Sequence, residues 1–126
     1  MRAPFDFLGK RVTGGMTGDD VLQAAIALER DGDAASAARL LEGALLEDED
    51  PRLLNRLAVL RAREGDFKRA TQLLKSAALI EPENPVYRSN LRKVWHLALR
   101  DRRTRSALSS AGSELSLAST ARGSHR

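Results

Sequence analysis

The chain contains no cysteine. Disulfides, thiolate metal sites and cysteine nucleophiles are therefore excluded together. Histidine is nearly absent as well: His96 and His125 are the only two, a poor basis for a histidine metal centre. Aromatic residues make up 4% of the 126 positions. A core must then be built from Leu, Ala, Val and Ile, which suits helices that meet closely across small residues and disfavours a β-sandwich. No stretch approaches the roughly 20 apolar residues of a membrane span. The opening residues, Met1 to Arg11, interrupt their few apolar side chains with Pro4, Asp6 and Gly9, and so lack the apolar run of a signal peptide. A cytoplasmic protein is expected.

What is present is ordinary for a globular domain: 42% hydrophobic and 30% charged residues in a length compatible with one domain. Arginine outnumbers lysine by 17 to 4 and alanine is abundant, a bias expected of a high-GC bacterial genome. The informative feature is repetition. Gly32-Asp33 recurs as Gly65-Asp66, and at the same offset Ala25, Arg30, Ala37, Leu40, Leu41, Ala44 and Leu46 recur as Ala58, Arg63, Ala70, Leu73, Leu74, Ala77 and Leu79. The Gly-Asp pair and the constant register carry the weight, because an Ala- and Leu-rich chain inflates the rest.

Inside each unit the apolar residues follow a helical period, as in Leu53, Leu54, Leu57, Ala58 and Leu60, then Phe67, Ala70, Leu73, Leu74, Ala77 and Ala78. Between these two runs stands Glu64-Gly65-Asp66. Glycine can take the left-handed conformation that ends one helix, and aspartate can accept from the free N–H groups opening the next. Each unit therefore reads as a helical hairpin.

These residues resemble the tetratricopeptide repeat. Leu54, Leu57 and Ala58 stand in the first-helix slots, Gly65-Asp66-Phe67 in the turn, Ala70, Leu74 and Ala77 in the second-helix signature and Pro82 at the closing proline. Arg61 departs from the pattern, standing where the family usually has tyrosine. The first unit matches less completely, through Val21, Ala24, Ala25 and Leu28, then Ala37, Leu41 and Ala44, with Glu49 at the closing position. Arg88, Leu91, Arg92 and Trp95 align with a third first helix, but no Gly-Asp turn follows it.

The expected fold is all-α, a tetratricopeptide-like solenoid of antiparallel helix pairs with about five helices. A flexible arm (residues 1–17) would precede a helical domain (18–105). That domain comprises repeats at about 18–50 and 51–84 and a capping helix at about 85–105. A Ser-, Ala- and Gly-rich tail (106–126) is expected to be disordered or weakly helical. Two repeats and a cap lie near the lower limit of stability for such an array, so the arm, the tail, a second copy or a hetero-oligomeric partner would complete the core.

No catalytic constellation stands out. The acidic run Glu47-Asp48-Glu49-Asp50 lacks the spaced glycine and terminal glutamate of a calcium loop and reads as a solvated inter-repeat loop. Gly9 and Gly14-Gly15 are too scattered to cradle phosphate. On a helix His96 neighbours Leu99 and three cations, Arg92, Lys93 and Arg100, and so lacks the nucleophile or carboxylate that catalysis would place beside it. No enzyme, cofactor or metal site is expected.

Charge is distributed unevenly. Residues 1–84 carry a net −3 and residues 85–126 a net +7. The basic end is formed by Arg88, Arg92, Lys93, Arg100, Arg102, Arg103 and Arg105, alternating with Leu91, Val94, Trp95, Leu97 and Ala98. A solubilising face on a cap explains such a helix first and an acidic protein partner second. Nucleic acid ranks last, because one Trp and one Tyr supply few stacking platforms, and membrane contact would be peripheral at most.

The resemblance further implies that the first helices line a concave groove for a partner's peptide or helix. By the matching positions the groove would present Leu22, Ile26 and Glu29, then Arg52, Asn55, Val59 and Arg63, then Ser89, Lys93 and His96. That chemistry suits an apolar anchor beside one or more carboxylates. The family's carboxylate-gripping set is matched only partly, by Asn55 and Lys93. The functional expectation is a non-catalytic adaptor or scaffold in a bacterial assembly. The alternatives are a small secretion or assembly chaperone and a binder of nucleic acid or anionic membrane through the basic helix. In the arm, Phe5, Phe7 and Leu8 form an apolar knot that could occupy the groove, fill the open edge of the array or dock onto a partner.

Overall fold

The structure, a computed structural model, describes residues 16–124, with side chains through residue 110. The arm lies almost wholly outside the described residues, and with it every role expected for Phe5, Phe7 and Leu8. Five helices follow one another: α1 (Gly18–Arg30), α2 (Ala34–Leu45), α3 (Pro51–Arg63), α4 (Phe67–Ile80) and α5 (Pro85–Ser124). α5 does not stop near residue 105, where the cap was expected to end, but continues through the described part of the tail.

The helix boundaries are set by local chemistry. Thr17, expected in the arm, instead caps α1: its hydroxyl accepts from the Asp20 N–H at 3.1 Å and its own N–H donates to the Asp20 carboxylate at 3.1 Å. Met16 also packs against the core. The two Gly-Asp turns are built alike. Gly32 and Gly65 adopt φ of 83° and 87°, the left-handed conformation that costs a side-chain-bearing residue about 1–2 kcal/mol. Asp33 N–H then reaches back to Leu28 O at 2.8 Å and Asp66 N–H to Arg61 O at 2.9 Å, closing the terminal carbonyls of α1 and α3. The same aspartates open the next helices, accepting from Ser36 N–H at 3.0 Å and Arg69 N–H at 3.1 Å. Asp50 and Asn84, each followed by a proline, accept from Arg52 N–H at 2.9 Å and Val86 N–H at 3.0 Å, so α3 and α5 start in the same manner.

The recurring positions are the core. Ala25 and Ala58, Ala37 and Ala70, Leu41 and Leu74, and Ala44 and Ala77 are all buried, most of them completely. Alanine at these sites lets α1 close on α2, and α3 on α4, while Leu41, Leu57 and Leu74 supply volume between them. Each fully buried leucine is worth about 1.5–3 kcal/mol. Leu46 and Leu79 also recur, yet both are 83% exposed; they repeat without packing.

Contacts run only between neighbours in the array. α1 meets α2 and α3, α2 also meets α3, and α5 meets α4 and α3, whereas α1 and α2 make no backbone approach to α4 or α5. The molecule is an all-α helical solenoid, and the first helix of each unit lines one side of it. Where α1 meets α3, Gly18 leaves room for the cap: a methyl there would meet the ends of the Asp50 and Arg52 side chains, which would have to shift.

Arginines of α3 fasten the units to one another. Arg52 bonds to Asp19 of α1 and to the Asp50 cap, and this pairing holds the Asp50 carboxyl below its ordinary pKa. Arg56 grips Glu29 with both nitrogens, at 2.6 and 2.7 Å. Arg61, at the family's tyrosine slot, is half-buried and joins Glu42 of α2 and Glu64, each at 2.9 Å. It bridges helices through hydrogen bonds where a phenol would bridge them through packing.

Candidate functional site

α1, α3 and α5 face a common recess. Its first part is walled by Leu22 and Ile26 of α1, Arg52, Asn55 and Arg56 of α3, and Asn84, Val86 and Tyr87 at the start of α5. Helices α1 and α5 thus both wall this part of the recess, with no close backbone approach between them. Farther along, a cavity of about 280 Å³ is lined by Val59, Ala62 and Arg63 of α3, Leu74 of α4, and Asn90, Lys93, Val94 and Leu97 of α5. A shallower dent beside it holds Val86, Ser89, Asn90 and Lys93.

Of the groove positions expected from the sequence, Leu22, Ile26, Arg52, Asn55, Val59, Arg63, Ser89 and Lys93 wall this surface. Two do not serve as expected. Glu29 is 7% exposed at its side chain and is consumed by Arg56 and Arg63, so it staples α1 to α3 rather than meeting a ligand. His96 forms no wall of these cavities; it is exposed, with its ring 5.5 Å from that of Trp95.

Several wall residues were missed, the apolar Leu74, Val94 and Leu97 and also Asn90, Tyr87, Arg56 and Val86 among them. Asn90 donates to the Asn55 side-chain oxygen at 2.8 Å, tying α5 to α3 across the recess floor. Its signal was an amide one turn before Lys93 on the same helix. Tyr87 is 2% exposed and donates its phenol to Glu81 at 2.7 Å; burial first, and this bond second, push it up to about 12. Arg56 appeared from the sequence as one more cation, and its partner in α1 was not foreseeable from spacing along one helix. Glu29 holds its guanidinium above the ordinary arginine pKa. Val86, 48% exposed, adds apolar surface at the recess mouth.

The basic patch is divided by the fold. Lys93 lines the recess, whereas Arg88 and Arg92 are exposed, Arg88 donating to Pro82 O at 3.2 Å. With the starts of α3 and α5 superposed, Arg88, Arg92 and Trp95 stand where Leu54, Ala58 and Arg61 stand in α3. Leu54 and Ala58 are closed over by the array, whereas the corresponding side chains Arg88, Arg92 and Trp95 are exposed. Arg100, Arg102, Arg103 and Arg105 lie beyond Val94, the last buried residue among the described side chains of α5, and Arg105 pairs with Asp101 at 3.0 Å.

Among the described residues no group of three or more His, Asp or Glu is placed to hold a metal ion, and no helix is long and apolar enough to cross a membrane. No curated protein and no solved structure shows a significant match to the chain. A protein-family model does: the tetratricopeptide repeat, over residues 23–94. Repeats of this kind generally mediate protein–protein interaction and are typically non-catalytic. With most of α1, all of α2 to α4 and the start of α5 inside the matched span, the chain belongs to the tetratricopeptide repeat family.

Proposed function

We propose that this protein is a non-catalytic adaptor, a cytoplasmic subunit of a bacterial assembly, that holds a helix or extended segment of a partner protein in the recess between α1, α3 and α5. One observation carries the reading: the recess is walled by incompletely covered apolar side chains, Leu22, Ile26, Val59, Val86 and Leu97, interleaved with amides and cations. Such a surface offers an apolar anchor site and directional polar contacts together, the combination that peptide grooves use. Leu46 and Leu79 are exposed as well, but neither walls any of these cavities.

Site-specific photocrosslinking in cells tests this. A photoreactive side chain at Ile26 or Val59 should capture a discrete polypeptide, and one at Leu79 should not. Capture from Leu79 alone, or from none of the three, would remove the recess as the binding surface.

A further inference from the structure

Charge is balanced at one end of the recess and unbalanced at the other. Near the starts of the helices Arg52 is satisfied by Asp19 and Asp50, and Arg56 by Glu29. At the far end lies the cavity of about 280 Å³, whose walls are mainly Val59, Leu74, Val94 and Leu97. Two cations stand at its rim. Arg63 is 66% exposed and reaches only Glu29 Oε1, at 3.3 Å, an oxygen already held by Arg56 at 2.7 Å. Lys93 is exposed and has no ion pair among the described residues.

The size of the cavity narrows the ligand. Clefts for whole small molecules run from about 300 to 1,000 Å³; this one lies just below that range and suits one large aliphatic or aromatic side chain. The rim narrows it further, since a neutral apolar segment would leave two cations partly desolvated and uncompensated, and a basic segment would add like-charge repulsion. A carboxylate beside the inserted side chain would instead receive charge-assisted hydrogen bonds from both.

Resting on the adaptor reading, we infer that the partner segment is acidic: one large apolar side chain enters among Val59, Leu74, Val94 and Leu97, and flanking Asp or Glu carboxylates are bound by Arg63 and Lys93. Specificity for the partner resides at this end of the recess, and the N-terminal end contributes contact area without charge selection.

Selection of short random displayed peptides on the full chain tests the inference, with the recovered sequences synthesised with both ends capped and titrated by fluorescence anisotropy. Recovered peptides should pair a large apolar residue with Asp or Glu. Replacing those acids by Asn and Gln, or using the Arg63→Gln/Lys93→Gln double variant, should each weaken binding by about tenfold or more, and higher salt should narrow the difference. Circular dichroism and melting of the double variant should be unchanged, since both side chains are exposed. An apolar consensus without acids, a basic consensus, an acidic consensus indifferent to the double variant, or no consensus at all would each overturn the inference. The photocrosslinking at Ile26 and Val59 decides the adaptor reading independently of these outcomes.

Discussion

The two hairpins and α5 show how differently a helix can be specified in one chain. Helices α1 to α4 have 13, 12, 13 and 14 residues. Each begins at a side-chain cap and carries a buried stripe along its length. α5 has 40 residues, about 60 Å of helix at 1.5 Å per residue, but among its described side chains the buried ones, Tyr87 and Val94, fall in the first ten. From Arg102 to Ser110 every side chain is exposed. The hairpin helices are thus held by tertiary burial between defined ends. From Arg102 to Ser110 the described side chains of α5 offer local propensity and pairs such as Asp101–Arg105, which stabilise a helix weakly.

Substitutions at the hairpin interface should produce the largest effects. Ala70 is 0% exposed, so Ala70→Arg must bury a charge or part α3 from α4, and cooperative folding should be lost. Leu57→Ala, at a fully buried site, should cost about 2–5 kcal/mol in urea denaturation. Retention of near-native stability by either variant would show that the array does not depend on this contact.

Tyr87 probes the junction of the hairpins with α5. It is the only tyrosine, so the tyrosinate absorbance reports on it alone. In the folded chain its midpoint should lie at about 12, against about 10 after denaturation. The folded value is the raised one, so the contribution is complete below pH 10 and is lost as pH rises towards 12. The shift corresponds to about 2–3 kcal/mol, and Tyr87→Phe should remove this pH dependence. An ordinary midpoint in the folded chain would mean that α5 is not closed onto α4.

Smaller effects should sharpen the contrast. Gly65→Ala, at φ of 87°, should destabilise by about 1–2 kcal/mol. Arg61→Ala should cost up to about 1 kcal/mol, since its ion pairs with Glu42 and Glu64 are only partly shielded from water. Truncation after Arg105 should lower far-UV helicity yet change the unfolding free energy by no more than about 0.5 kcal/mol. A large loss of stability there would show that the distal segment covers the core after all.

Some features were legible because they are local. The Gly-Asp turns combine a left-handed residue with a side-chain cap inside a few positions, and the 33-residue offset (Gly32 to Gly65) marked the sites that became the core. Recurrence alone misled at Leu46 and Leu79, which repeat and remain exposed. Arg61 read from sequence as a departure, with no sign of which helix it joins. Its partner Glu42 is 19 residues away, and nothing in a single-helix period selects that carboxylate over others. Glu29 was placed in the groove by register alone. The structure places it there but shields it, because Arg56 at the next helix is long enough to reach it.

The sequence alone thus determined the hairpin helices, the caps at the two Gly-Asp turns and the recurring buried alanines and leucines, since these depend on residues within a turn or two of one another. It also determined the surplus of positive charge towards the C-terminal end. Only the tertiary structure decided which cations are spent on ion pairs and which remain free at the recess. That outcome depends on distances between partners on different helices, 19 to 34 residues apart in the chain, and a one-dimensional pattern does not contain those distances.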